Sequence, residues 1–246
     1  MICGYINLDR ATERRGYMEA HFAELAPPGV PLTRTPAIDA SEAASAPGGA
    51  SATEKACFLS HLKAIRELHD GRSHLLVLED DVILSPAAFT APLQAAGNWD
   101  LLLLDAAIGD IRLWPALEAR RQAAGGGTIG FLDLAVMPFA CSAAYLVNRA
   151  SKERVLAAFA TTPMNAPYDI TMRALVHAGR LRACLAFPFV SSIAAFSDNT
   201  SQIRAPNPLD ELSNAFRRRI FDGVGDGRSA AELAEEMARA LKARRQ

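Results

Sequence analysis

Three carboxylates stand side by side where an apolar run ends: Glu79, Asp80 and Asp81, in the stretch LLVLEDDVIL over residues 75–84. Adjacent carboxylates repel, so three of them at the end of a buried strand call for a compensating charge. Alternate strand residues face opposite sides, which puts Glu79 and Asp81 on one side and Asp80 on the other. A hard divalent ion, Mg²⁺ or Mn²⁺, prefers such oxygen donors and often also holds a substrate diphosphate. The competing reading is a solvated acidic turn, and the buried strand leading in weighs against it.

A carboxylate cluster does chemistry only where the chain delivers it to a cleft. In open α/β sheets that place lies outside the carboxyl ends of the strands. MICGYINL reads as a first buried strand, and a helix over Thr12 to Leu25 follows, with Met18, Phe22 and Leu25 on one face. Pro27, Pro28 and Gly29 stop it, and PLTRTPAID carries a short second strand. Residues 41–53, rich in Ala, Ser, Gly and Pro, read as a loop. A helix from Glu54 to about His69 turns Phe58, His61, Leu62, Ile65 and Leu68 to one face. HLLVLED is a central strand by its continuous apolar run, and WDLLLLDA is another.

Further on, Pro115 to Gln122 reads as a basic helix and Gly125–Gly127 as a turn. FACSAAYLVN is a strand and SKERVLAAF a helix with Ser151 as its cap. A second helix runs from Asp169 to His177, and RLRACLAF is one more strand. Residues 191–208 are polar and loop-like. The tail from Ser229 to Arg245 is an Ala-rich helix ending in Lys242, Arg244 and Arg245, cations suited to a helix C-terminus. Strands alternating with helices predict an α/β fold with a mostly parallel central sheet. The expectation is one domain over residues 1–208, with residues 209–246 a helical extension packed on it or trailing from it.

At 246 residues and 50% hydrophobic, the chain can bury a large core. Its 26 basic and 27 acidic residues nearly balance, which gives no basic excess for nucleic acid. No stretch is long and apolar enough to span a membrane, and MICGYINLDR lacks the pattern of a signal peptide. A cytoplasmic protein is expected. Cys3, Cys57, Cys141 and Cys184 are scattered and read as free thiols in a reducing compartment, with no Cys/His spacing of a metal site.

Taken together, INLDRATERR, EKACFLSHLKAI and LLVLEDDVIL, in that order, resemble glycosyltransferase family 25, the lipooligosaccharide and lipopolysaccharide sugar transferases. CSAAYLVNRAS, APYDITM and FSDNTSQI are similar to later segments of the family, so the resemblance spans about Ile6 to Ile203. Its specific part is CFLSHL at 57–62 followed by LEDDV at 78–82. The chain departs from the family in the lead to CFLSHL, where Thr53-Glu54-Lys55-Ala56 keeps the acid without the glycines. Residues between Asp105 and Phe139 match nothing in it.

The resemblance implies a GT-A type nucleotide-binding domain, a UDP-sugar donor, Mn²⁺ or Mg²⁺, and an inverting transfer to a glycolipid or oligosaccharide acceptor. Glu79 and Asp81 would hold the ion, with His177 and Asp198 as candidate third ligands, and Asp80 would support the site or bind ribose. Asn7, Leu8 and Arg10 fall where base and ribose are expected. Arg14 and Arg15 follow on the helix, where a planar guanidinium suits phosphate. Ser60 and His61 are donor-site candidates, although a His on an apolar stripe is as often a core residue. Inversion needs a base at the acceptor hydroxyl. Asp169 is the first candidate, with helix capping as its competing role, and Asp105 is the second.

The tail helix suits docking on the domain, and its basic end also suits peripheral contact with an anionic membrane that carries the acceptor. Two other functions stay open on sequence. One is a Mg²⁺-binding phosphoacceptor signalling domain, against which stand the chain's length and the elements preceding the acids. The other is a non-catalytic sugar-nucleotide-binding protein on the same scaffold.

Overall fold

The computed structural model describes residues 1–95, 97–125, 129–198 and 207–244. Gly126 and Gly127 of the glycine turn, Asn199–Ile203 of the closing serine-containing stretch, and Arg245 lie outside the described residues. The chain begins with β1 (Ile2–Asn7), α1 (Thr12–Leu25), β2 (Leu32–Pro36), the short α2 (Ala40–Ala43), α3 (Ala52–Leu68), β3 (Leu75–Glu79) and β4 (Val82–Leu84). It continues through α4 (Ala91–Gln94), β5 (Leu101–Leu103), β6 (Ala107–Ile108), α5 (Trp114–Ala123), β7 (Gly130–Asp133) and β8 (Phe139–Ala140). It closes with β9 (Ala144–Val147), α6 (Lys152–Ala160), α7 (Tyr168–His177), β10 (Ala183–Phe187), β11 (Ser191–Ile193), α8 (Pro208–Asp222) and α9 (Ala230–Ala243).

The central sheet has seven strands in the order β2-β1-β3-β9-β5-β10-β7. Five of them run one way, while β9 and β7 pair antiparallel with their neighbours. The expected mostly parallel α/β sheet is present. β3 is central because both faces of Leu75 to Leu78 are covered, and each of the four is fully buried. FACSAAYLVN, expected as one strand, is split. Cys141 takes a left-handed φ of 86°, which breaks the chain between β8 and β9.

α3 starts at a capping box: Ser51 Oγ accepts from the Glu54 amide and the Glu54 carboxylate accepts from the Ser51 amide. It lies so close to β1 that a Cβ on Gly4 would sit 2.2 Å from Leu68 Cδ1. The loop ahead of α3 is tied down. The Ala50 amide donates to Met164 O at 3.0 Å and Gly49 N to Asn165 Oδ1 at 2.8 Å. Buried Lys55 donates to Ala46 O at 2.7 Å, which gives a physical role to the lysine at the departure from the family.

Two apolar cores flank the sheet. α8 and α9 contribute Leu212, Phe216, Ile220, Leu233 and Met237 to the larger one. Phe216 stacks on Trp114 of α5 with centroids 4.3 Å apart, a contact worth about 1 kcal/mol beyond burial. The apolar stripe of α9 therefore faces α5 and α8. Among the described residues, no helix is long and apolar enough to cross a membrane.

Candidate functional site

The carboxyl ends of β1 and β3, the first turns of α1 and α7, and one face each of α3 and α8 enclose a cavity of about 640 Å³. Of the residues singled out from sequence, Asn7, Leu8, Arg14, Ser60, His61, Glu79, Asp80, Asp81, Asp169 and Asp198 line it. Arg10 is outside the lining, largely exposed and paired with Asp39. His177 is also outside, bonded to Met137 O. Asp105 is buried beneath Arg217, whose Nε lies 2.9 Å from Asp105 Oδ2.

The three acids do not keep strand alternation. β3 ends at Glu79 and a turn leads into β4, so Asp80 and Asp81 leave the pleat. Arg14 on α1 spans both, with Nη1 at 2.8 Å from Asp80 Oδ1 and 2.9 Å from Asp81 Oδ2. Asp80 Oδ2 also accepts from Asn7 Nδ2 at 2.7 Å, and Asp81 Oδ2 from Ser197 Oγ at 2.7 Å. Part of the compensation expected from an ion thus comes from a guanidinium. That compensation is incomplete. Burial, then the charge of Glu79, pushes the Asp81 carboxyl up to about 6. Asp81 Oδ1 is buried with no hydrogen-bond partner among the described residues. A carboxylate oxygen left this way beside a second carboxylate is a donor set that fits a hard divalent ion.

Glu79 sits in a different network. His61 Nε2 lies 3.5 Å from Glu79 Oε1, and Ser142 Oγ donates to the same oxygen at 3.3 Å. Burial would raise the Glu79 carboxyl, but the His61 hydrogen bond and charge, Ser142 and the charge of Arg217 outweigh it and hold it below its ordinary value. His61 is itself buried. Its Nδ1 is 3.2 Å from Tyr145 Oη, its ring stacks on Tyr168 at 4.4 Å, and the two tyrosine hydroxyls meet at 3.1 Å. His61 is thus a bonded core residue, as one of its two readings expected, and it also touches a cavity acid.

Several singled-out groups are spent on architecture. The Asn7 amide serves Asp80 and Ala11 O and accepts from Arg15 and Arg34. Ser60 Oγ donates to Ala56 O and accepts from the Ile38 amide. They fix the wall by holding β1, β2 and α3 in place. Asp169 accepts from the Cys141 and Ile170 amides, both at 2.8 Å, at the start of α7.

Sequence reasoning missed the wall supplied by α8. Asp210, Ser213, Asn214 and Arg217 of α8 line the cavity. Their signal was the apolar spacing of Leu212, Ala215, Phe216 and Ile220, which buries the face that carries Arg217. It also missed a metal spacing: Cys57 and His61 are one helical turn apart on α3, and with Glu79 their ligand atoms lie within 4.8 Å of one another. Seven cavity carboxylates (Glu54, Glu79, Asp80, Asp81, Asp169, Asp198 and Asp210) face two guanidiniums, Arg14 and Arg217. Among the described residues, this lining repels an anionic ligand that brings no cation.

Residues 5–102 match the model of glycosyltransferase family 25, described as LPS biosynthesis protein. No curated protein matches the chain. One similar solved structure is galactosyltransferase LgtC in complex with donor and acceptor sugar analogs. It is 16% identical, with a TM-score of 0.44 over 97% of this chain and 96% of that one.

Proposed function

We propose, from the family match over residues 5–102, that the protein is a glycosyltransferase. In this reading it moves a hexose, galactose the first candidate, from a UDP-sugar to a glycolipid or polysaccharide acceptor, with inversion and with Mn²⁺ or Mg²⁺. One observation carries the reading: the matched segment supplies the acidic wall of the cavity. Asn7, Leu8, Arg14, Ser60, His61, Glu79, Asp80 and Asp81 all fall within it and all line the same space.

Asp81, through its unpartnered Oδ1, and Glu79 would hold the ion. When bound, the ion supplies charge neutralisation for a departing diphosphate. The other roles belong to the chain. Arg14 steadies Asp80 and Asp81 and stands where a phosphate oxygen would replace one of its carboxylate partners. Asp169, at the first turn of α7, lines the same cavity and is the base for the acceptor hydroxyl. The Cys141 and Ile170 amides hold its carboxylate in one orientation. Asp105, the second candidate from sequence, is enclosed with Arg217 and has no such access.

The test is calorimetric titration of UDP into the purified protein, with and without Mn²⁺ or Mg²⁺. Tight binding that needs the ion is expected, and equal binding in chelator, or none at all, overturns the reading.

A further inference from the structure

We propose that Cys57, His61 and Glu79 form a binding site for a borderline transition-metal ion, Zn²⁺ first among them, different in ligand chemistry from the all-oxygen donor set around Asp81. The proposal stands on these residues alone and goes beyond the transferase reading.

The geometry is built from two rigid elements. Cys57 and His61 project from the same face of α3, and Glu79 ends β3 opposite them. Sγ, an imidazole nitrogen and a carboxylate oxygen lie within 4.8 Å of one another. A tetrahedral zinc site asks for ligand atoms about 3.3–3.8 Å apart, and His61 Nε2 and Glu79 Oε1 already stand at 3.5 Å. Small side-chain rotations of Cys57 complete the set.

The surroundings favour such an ion over Mg²⁺ or Mn²⁺. Thiolate and imidazole are ligands for zinc and its neighbours, and hard cations avoid them. Tyr145 Oη at 3.2 Å from Nδ1 and the stacked Tyr168 ring fix the imidazole with Nε2 turned to Glu79. Metal-binding histidines are commonly oriented in this way through the other ring nitrogen. Charge also closes: one thiolate, one carboxylate and one divalent cation sum to zero, which suits a largely buried position. On binding, the S–metal bond replaces the S–H bond and the thiol proton leaves to solvent. The fourth position faces the cavity, so the ion would be exchangeable. It would also draw Glu79 away from Asp81, which makes zinc an antagonist of the oxygen-donor site.

Co²⁺, a spectroscopic stand-in for zinc, tests this on the whole chain. A near-ultraviolet thiolate-to-cobalt charge-transfer band is expected at one equivalent, and Zn²⁺ should erase it. Cys57→Ala should lose the band and weaken Zn²⁺ binding by about 100-fold. Should that variant fail to fold, peptide-mapped alkylation of the parent protein decides: Zn²⁺ should slow modification of Cys57 while leaving Cys3 and Cys184 unchanged. No band, a band that survives in a folded Cys57→Ala, or alkylation of Cys57 indifferent to Zn²⁺ overturns the proposal. UDP binding with Mn²⁺ is read separately, so either idea can fail without the other.

Discussion

Asp81 carries the least comfortable charge of the acidic wall. Its carboxyl is pushed up to about 6, above an ordinary value of 3.8. A carboxyl raised in the folded state holds its proton more tightly folded than unfolded. Its contribution to stability is therefore full below about 3.8 and is lost as pH rises toward about 6. The metal-free protein should lose melting temperature over that interval. Asp81→Asn should flatten the fall and leave the variant more stable at neutral pH by on the order of 1 kcal/mol. A parent curve flat over that interval would contradict the account. Asp169 gives a second prediction. On the proposed reading Asp169 is the base. Asp169→Asn keeps one acceptor oxygen, so it retains only one of the two amide hydrogen bonds, and it cannot take a proton, so turnover should fall by about 10²–10⁴. UDP affinity in Mn²⁺ should stay close to that of the parent, and a parallel loss of both would place Asp169 in donor binding instead.

At the scale of elements, α8 does the most that its sequence conceals. Arg217 is buried with Asp105, and Asp105 Oδ1 has no partner among the described residues. Removing one member of a buried pair strands the other, at about 3–5 kcal/mol. Arg217→Met should therefore destabilise strongly, and adding Asp105→Asn should restore part of the loss in denaturant titrations; strictly additive losses would show that the pair is not coupled.

The helix over Thr12 to Leu25 and the apolar face of α3 were legible because spacing and stop signals are local. The separation of Glu79 from its two neighbours was not, since it depends on where β3 yields to a turn. Cys57 with His61 was legible in principle: a spacing of four on a helix suffices, once Glu79 is known to lie opposite.

For the whole molecule, the sheet's class could be read from alternating elements, but its order could not. β9 enters between β3 and β5 antiparallel to both, and no local pattern in AYLV announces that. The place of the tail needed the third dimension as well. Ala230, Leu233 and Met237 are buried against the main body, and the Ala230 amide donates to Glu118 Oε2 at 2.8 Å. Deleting residues 229–246 should lower the melting temperature by roughly 10 °C, from the apolar area uncovered. A tail serving only as a surface anchor would leave it unchanged.

The placement of β9 bears on synthesis. β3 and β5 leave the ribosome before the strand that joins them, so the apolar edges at Leu75–Leu78 and Leu101–Leu103 wait unpaired until Val147 has emerged. Asp105 waits longer still for Arg217, its buried partner on α8. The cavity is thus unfinished until α8, which supplies Asp210, Ser213, Asn214 and Arg217 to its lining, has left the ribosome.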